Sequence, residues 1–86
     1  MPYINGFDRT RLEHLVKTMH LTEVDNAGQL NYLVTQLVHT FLGQHQEGYQ
    51  NFNDALGALE GAKLELYRRY IAQYEDHKIQ INGDVP

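Results

Sequence analysis

One helical pattern constrains this chain more than any other feature of its sequence. Between residues 28 and 42 the apolar side chains recur every three or four residues, the repeat of one face of an α-helix. The residues that carry the repeat are Leu30, Leu33, Val34, Leu37, Val38, Phe41 and Leu42. The pattern predicts a helix over 28–42, which Asp25 or Asn26 in the preceding polar connection could cap.

The opposite side of this helix is polar but uncharged. It carries Tyr32, Thr35, Gln36, His39 and Thr40, and the segment 28–46 contains no Asp, Glu, Lys or Arg. A freely solvated helix face usually carries charge. We therefore expect another helix or another subunit to cover this side, and we assign Tyr32, Gln36 and His39 to an oligomer interface.

Two further helices flank the first pattern. Leu12, Leu15, Val16 and Met19 recur at helical spacing and predict a helix over 8–20, with Asp8 as N-cap and a hydrophobic staple between Phe7 and Leu12. A third helix is predicted over 51–78, with a capping box between Asn51 and Asp54. It contains no proline, and Asn82-Gly83 is a natural stop before a tail over 82–86.

The predicted fold class is all-α. The second and third helices are expected to form an antiparallel hairpin, with the short N-terminal helix closing one side, in a single domain spanning 1–86. A chain of 86 residues buries a smaller share of its surface than a typical domain does, so we expect a homo-oligomer.

Composition excludes several classes of protein. The net charge of −4 and the pI near 5.6 argue against coating duplex DNA, which needs a net basic face. The chain has no cysteine, so it has no disulfides, thiolate metal site or cysteine nucleophile. The N-terminus lacks the pattern of a signal peptide, and the apolar stretch 30–42 is too short to span a membrane. We expect a cytoplasmic protein.

The third helix holds the most unusual charged pair. Helical geometry places Lys63 among leucines and tyrosines, with Glu60 at the margin of the same face. In one interpretation Lys63 lies along the apolar surface and its ammonium reaches water or Glu60. In the other it points into a cleft and meets a phosphate or a partner's carboxylate.

Small residues form a separate patch on this helix. They are Gly57, Ala58, Gly61 and Ala62. Such a patch lets another backbone approach closely. We assign Gly57 and Gly61 to an oligomer contact, with simple tolerance of small residues at a solvated surface as the alternative.

The segment Tyr67-Arg68-Arg69-Tyr70 combines aromatic and basic residues. On an α-helix its tyrosines point toward the apolar face and its arginines away from it. The arginines could bind phosphate, and a tyrosine could stack on a base. The alternative is that the tyrosines are core residues and that both arginines pair with Glu65.

The sequence offers no credible catalytic set. A metal-dependent nucleotide phosphohydrolase gathers carboxylates from facing helices, but the second helix has none. The five histidines, at 14, 20, 39, 45 and 77, include no HxxxH pair, and no phosphate loop or nucleophile elbow is present. We expect no enzymatic activity, no metal and no cofactor.

Four segments of the chain resemble a known family. "MPYI", "AGQLNYLVTQLVHTFL", "YQNFNDALGALEGAKLELYRRY" and "YEDHKIQINGDV" are similar to the ordered motifs of short, functionally uncharacterised proteins of phages, prophages and bacteria. The family pattern has a proline before "YED", where this chain has Gln73, and an aromatic after "NGDV", where it has Pro86. A helix break before "YED" is therefore absent or weaker here. The resemblance implies a phage-type accessory protein of unknown activity.

These observations favour a non-enzymatic, homo-oligomeric binding protein that serves a phage in the host cytoplasm. In one version it counters host defence by sequestering a nucleotide signal, a cyclic nucleotide or an ADP-ribose derivative, in pockets between subunits. Lys63, Glu60, Arg68, Arg69, Tyr67 and Tyr70 are the candidate ligand residues. In the other version it inhibits or adapts a host or phage protein. A phosphohydrolase is the least favoured alternative.

Overall fold

The computed structural model describes residues 2–86. The regular secondary structure of these residues is entirely helical, with no strand. The first helix, α1, spans Gly6–His20, and the second, α2, spans Ala27–Gly43. The third helical segment is continuous and consists of α3, Tyr49–Leu66, a π-helical turn, Tyr67–Ile71, and α4, Ala72–Asn82. The expected all-α class with three helical segments is confirmed.

Asn5, rather than Asp8, caps α1. The Asn5 side-chain oxygen accepts a hydrogen bond of 2.9 Å from the Asp8 amide, so the helix begins at Gly6, two residues earlier than predicted. Asp8 lies in the first turn, where its carboxylate faces the positive end of the helix dipole. The predicted Asp8 cap and its staple between Phe7 and Leu12 are wrong, because an asparagine upstream already supplies the cap.

At the start of α2, two side chains bond to the backbone reciprocally. Asn26 is the N-cap, and its Oδ1 accepts from the Gln29 amide at 2.9 Å. Gln29 Oε1 in turn accepts from the Asp25 amide at 2.7 Å. This arrangement resembles a capping box with its return bond moved one residue outward. Of the two predicted caps, Asn26 is the one used.

The third helical segment extends beyond both predicted ends. It begins at Tyr49, where the Phe52 amide donates to the Gly48 carbonyl oxygen, so Asn51 lies inside the helix. The predicted capping box of Asn51 and Asp54 is therefore wrong, and the Asn51 side chain donates instead to the Gln46 carbonyl.

At its other end, this segment continues through Gln73 and stops after Asn82. Gly83 has a φ of 89°, and its amide bonds to the Ile79 carbonyl at 2.8 Å. A residue with a Cβ adopts this conformation at a cost, so the glycine explains where the helix ends. The tail begins at Gly83, one residue later than predicted.

The π-helical turn interrupts the α-helical repeat at Tyr67–Ile71. The Ala72 amide donates to the Tyr67 carbonyl five residues earlier, whereas an α-helical bond spans four. One extra residue in a turn rotates everything after it by about 100° relative to an uninterrupted α-helix. Compared with an uninterrupted α-helix, Ile71 therefore lies closer to the face that carries Leu56 and Leu59. Tyr74, which an uninterrupted helix would place on that face, lies at its edge. Sequence periodicity alone did not predict this change.

The described residues form two compact units. One comprises residues 3–55, and the other comprises residues 56–86 together with Pro2. The packing of the first helix against the others stays a prediction. The single domain over 1–86 and the hairpin of the second and third helices stay predictions.

Burial is sparse throughout the described chain. Among residues 2–86, Ala55 is the one buried residue, with 8% of its surface exposed. Large apolar side chains on every helix face solvent, including Leu15 on α1, Leu37 on α2 and Leu66 on α3. Full burial of a side chain of this size contributes roughly 1.5–3 kcal/mol, and these side chains, about half exposed, forgo roughly half of it.

Candidate functional site

An open groove lies beside the start of α2. Its volume is about 520 Å³, and the residues lining it are Thr22, Glu23, Val24, Asp25, Asn26, Gly28, Gln29, Tyr32 and Leu33. All of them belong to the unit of residues 3–55. The reciprocal caps of Asn26 and Gln29 fix the backbone on one side of the groove, so its shape follows from the way α2 begins.

The groove combines apolar and acidic side chains. Val24, Tyr32 and Leu33 are largely exposed, while Glu23 and Asp25 add two carboxylates. An apolar surface flanked by carboxylates suits a partner side chain that is itself amphipathic, such as arginine or lysine with its aliphatic stem. The groove is open rather than enclosed, which fits a side chain or a short peptide better than a fully surrounded small molecule.

Beyond the groove, α2 presents an apolar surface to solvent. Leu30 and Leu37 are each 56% exposed, and Val34 between them is 37% exposed. At the end of the helix, the ring of His45 lies 4.4 Å from that of Phe41, and its Nδ1 is 2.7 Å from the Phe41 carbonyl oxygen. The uncharged polar side is also open, since Tyr32 is 64% exposed.

Lys63 and Glu60 form a solvated pair on α3. Their Nζ and Oε1 atoms are 3.6 Å apart, and the Lys63 side chain is 73% exposed. This geometry matches the interpretation in which Lys63 reaches water and Glu60. Lys63 does not line the groove beside α2. A ligand-binding role for either residue stays a prediction.

Glu65 brings together the two arginines of the π-helical turn. Arg68 Nη2 lies 3.1 and 3.3 Å from the two Glu65 carboxylate oxygens, and Arg69 Nη1 lies 3.8 Å from one of them. Glu65 is the more buried partner, at 21% exposure. Both arginines are thus engaged by one carboxylate, as the ion-pair alternative predicts, and a phosphate would have to compete with Glu65 for them.

The tyrosines near this turn are exposed rather than buried. Tyr67, Tyr70 and Tyr74 all lie largely in solvent, and the Lys78 ammonium sits 5.6 Å from the centroid of the Tyr74 ring. The expectation that these tyrosines form a core is therefore not met within the chain. Their rings are available for contact with a partner or a base.

The proposed interface residues lie in different parts of the chain. Tyr32, Gln36 and His39 are exposed on α2 in the unit of residues 3–55, while Gly57 and Gly61 belong to the unit of residues 56–86. A Cβ added at Gly57 would meet no atom within 4 Å. Space for a neighbouring backbone is therefore present at Gly57, but its use as an oligomer contact stays a prediction.

Two kinds of site find no support in the part of the chain that the structure describes. Residues 2–86 contain no group of three His, Asp or Glu side chains that could hold a metal ion. Across the same residues, no helix combines the length and the apolar character needed to cross a bilayer.

Sequence reasoning did not identify the groove. The segment before α2 reads as a polar connection, the helical repeat places Leu33 on the apolar face, and the lack of charge places Tyr32 at an oligomer interface. The available signal was the spacing of Asn26 and Gln29, which predicts a capped, rigid entry into the helix. The spacing of residues along the sequence does not predict that Val24 and Tyr32 line the same groove.

Comparison with known proteins gives the family but no function. A search of curated proteins and a search of solved structures each found no match to the chain. A family described as a domain of unknown function, DUF6899, matches residues 1–85, which is nearly the whole sequence. The chain therefore belongs to the DUF6899 family.

Proposed function

We propose that this protein is an accessory binding protein, encoded by a phage or bacterium, that attaches to another protein in the host cytoplasm and inhibits or recruits it. It works as a homo-oligomer and has no catalytic role. The groove beside α2 carries this proposal, because it offers an apolar surface with two carboxylates at the entry of an uncharged helix.

The composition of the groove identifies the kind of partner surface that fits it. Val24, Tyr32 and Leu33 provide apolar contact area, and aromatic side chains such as Tyr32 are frequent anchors in protein interfaces. Glu23 and Asp25 favour a basic residue at the same place. The complementary feature is therefore an exposed arginine or lysine beside an apolar residue on the partner.

Site-specific photocrosslinking tests this function. A benzoylphenylalanine placed at Tyr32 in the groove should form an adduct with one recurring protein in cells that naturally produce the chain. The same probe at Tyr49, which is also highly exposed but lies outside the groove, is the matched control. We expect the adduct from position 32 and not from position 49.

Charge reversal tests whether the groove itself makes the contact. The double substitution Glu23→Lys and Asp25→Lys should abolish the adduct from position 32, because it places like charges against the basic residue of the partner. An adduct of equal yield in the charge-reversed protein would contradict the proposed recognition. Equal labelling from positions 32 and 49 would mean that the groove has no specific partner.

A second candidate function is the sequestration of a nucleotide signal. It is supported by Tyr67, Tyr70 and Tyr74, which are exposed close to Arg68 and Arg69. Stacking of a base on a tyrosine and pairing of its phosphate with an arginine would bind a cyclic nucleotide or an ADP-ribose derivative. Lys63 could add a charge from α3, within the same unit of residues 56–86.

Isothermal titration calorimetry distinguishes the two functions. Titration with cyclic dinucleotides and with ADP-ribose should produce heat if the chain sequesters a nucleotide, and Tyr70→Ala should abolish that heat. Tyr49→Ala, an exposed tyrosine on the same helical segment but in the other unit, is the control. No heat with any nucleotide would eliminate sequestration of these ligands and leave the protein-binding function standing.

A further inference from the structure

The chain contains two Asn-Gly pairs, and each lies at the end of a helix. Of its six asparagines, Asn5 and Asn82 are followed by glycine. Asn5 is the N-cap of α1, and Asn82 is the last residue of α4. An asparagine reacts with its own backbone most readily when the next residue is glycine, because a residue without a Cβ does not hinder approach of its amide nitrogen to the asparagine side chain.

The reaction of such a pair is an intramolecular deamidation. The glycine amide nitrogen loses its proton and attacks the asparagine Cγ, a C–N bond forms, and the side-chain nitrogen leaves as ammonia. Water then opens the resulting succinimide ring at one of its two carbonyls, which gives an aspartate or an isoaspartate. Water is the one co-reactant, and a neutral side chain becomes a carboxylate.

At the end of α4, the nucleophile of this reaction is held in a hydrogen bond. The Gly83 amide donates to the Ile79 carbonyl oxygen at 2.8 Å and closes the last turn of the helix. An amide in such a bond is harder to deprotonate, and its nitrogen cannot approach the Asn82 side chain until the turn opens. The helix therefore protects Asn82.

At the start of α1, the corresponding amide has no acceptor within its helix. Gly6 is the first helical residue, and the first amides of a helix lack an intrahelical partner. The Asn5 Oδ1 atom already accepts a hydrogen bond of 2.9 Å from the Asp8 amide. This oxygen gains negative charge when Cγ is attacked, so both the Asp8 amide and the positive end of the helix dipole stabilise that charge.

We propose that Asn5 is a site of spontaneous deamidation in the folded protein, and that the cap of α1 promotes the reaction whereas the last turn of α4 suppresses it at Asn82. The inference depends only on contacts within α1 and within α4. It is therefore independent of the groove and of the function proposed above.

The two products would change the start of α1 in opposite ways. An aspartate at position 5 can accept the same hydrogen bond from Asp8, and its charge suits the positive end of the helix. An isoaspartate adds a methylene to the main chain before Gly6, which moves the carboxylate away from the Asp8 amide and removes the cap. Deamidation thus produces one form with a retained cap and one form without it.

Peptide mapping by mass spectrometry measures both sites in one sample. The full chain is incubated at mildly alkaline pH, natively and in guanidinium chloride, and the deamidated fractions at positions 5 and 82 are followed over time. In denaturant the two sites should react at similar rates. In the native protein Asn5 should react on the order of tenfold faster than Asn82, because one hydrogen bond separates the two nucleophiles. Equal or reversed native rates would overturn the proposal.

Gly6→Ala is the variant that tests the route of the reaction. A Cβ at Gly6 would lie 3.8 Å from Arg9 Nη2, an ordinary contact, so α1 should form as before. The added Cβ hinders attack on Asn5, and we expect loss of deamidation at position 5 with an unchanged rate at position 82. Deamidation of Asn5 at the wild-type rate in this variant would refute the succinimide route. If folding slows Asn5 as much as it slows Asn82, the cap protects the site, and the proposal is wrong.

Discussion

At the scale of single residues, the start of α2 depends on one side chain. Asn26 Oδ1 accepts the Gln29 amide, and Gln29 returns a bond to the Asp25 amide. We expect Asn26→Ala to lower the free energy of unfolding by about 1 kcal/mol, because it leaves that amide without its cap. Urea denaturation followed by circular dichroism measures the change.

Asn26→Ser is the matched control for this cap. A serine hydroxyl can accept the same amide hydrogen bond, so it should retain most of the stability. Because Asn26 also lines the groove, both substitutions change the groove as well as the cap. Equal losses in the alanine and serine variants would show that the asparagine contributes through contacts other than capping.

The ion pairs of Glu60 and those of Glu65 in the third helical segment should differ in strength. Glu65 is partly buried and engages two arginines, while Glu60 and Lys63 form one solvated pair at 3.6 Å. We expect Glu65→Gln to cost up to about 1 kcal/mol of unfolding free energy, and Glu60→Gln to cost less than about 0.5 kcal/mol.

Salt provides the check on these two glutamate variants. Screening weakens exposed pairs, so the cost of Glu60→Gln should vanish in high salt, while part of the cost of Glu65→Gln should persist. The measurement is urea denaturation of each variant at low and high sodium chloride concentration. A larger cost for Glu60→Gln than for Glu65→Gln would contradict this ranking.

At the scale of helices, Gly57 separates two explanations of the small-residue patch. A Cβ there meets nothing within 4 Å, so Gly57→Ala should stabilise α3 by about 1 kcal/mol through helix propensity if the patch faces solvent. If a second copy packs its backbone there, the added methyl should instead weaken association. Urea denaturation and sedimentation equilibrium on the same variant give the two quantities.

Gly43→Ala serves as the comparison for Gly57→Ala. Its Cβ also meets nothing within 4 Å, but it is the last residue of α2, where the gain from helix propensity is smaller. If Gly57→Ala raises the free energy of unfolding and leaves association unchanged, the small-residue patch is not part of the oligomer interface. Weaker association in Gly57→Ala alone would support its assignment.

Helix content was predictable from the sequence because its signals are local. The spacing of Leu30, Val34 and Leu37, the Asn26 cap and the Gly83 stop each act within a turn or two of the chain. The start of α1 was missed because two residues compete as caps, and Asn5 bonds to the amide of Asp8, the residue predicted as the cap. The choice depends on backbone geometry that composition does not specify.

The candidate site was less predictable than the helices. The pairing of Lys63 with Glu60 follows from a separation of three residues, and Glu65 pairs with Arg68 and Arg69 for the same reason. The π-helical turn at Tyr67–Ile71 leaves no sequence signal of this kind. The groove requires Val24 and Tyr32 to line one surface, which depends on how the chain turns between α1 and α2.

At the scale of the whole molecule, the shortage of burial has a thermodynamic consequence. Ordering the backbone costs roughly 1–2 kcal/mol for each residue, and apolar burial is the main term that offsets it. With Ala55 as the one buried residue among 2–86 and many apolar side chains about half exposed, that offset is reduced. The proposed self-association would add burial at apolar surfaces such as the exposed side chains of α2.

A folded state that exists only in the assembly is sensitive to dilution. For a dimer, each tenfold dilution removes about 1.4 kcal/mol per dimer, or about 0.7 kcal/mol per chain. At the usual unfolding entropy of a domain this size, that corresponds to a melting temperature lower by roughly 3–5 °C. Circular dichroism melts over a hundredfold range of concentration should therefore shift in proportion to the logarithm of concentration.

Gln36→Glu and Leu37→Glu extend this test from the wild-type chain to its two α2 surfaces. Gln36→Glu should abolish the concentration dependence if the polar side of α2 forms the oligomer interface, because it brings like charges together there. Leu37→Glu should abolish it if the apolar side forms that interface instead, because the variant buries a carboxylate against apolar side chains. A melting temperature independent of concentration in the wild-type chain would mean that the single chain is stable by itself and would contradict the proposed self-association.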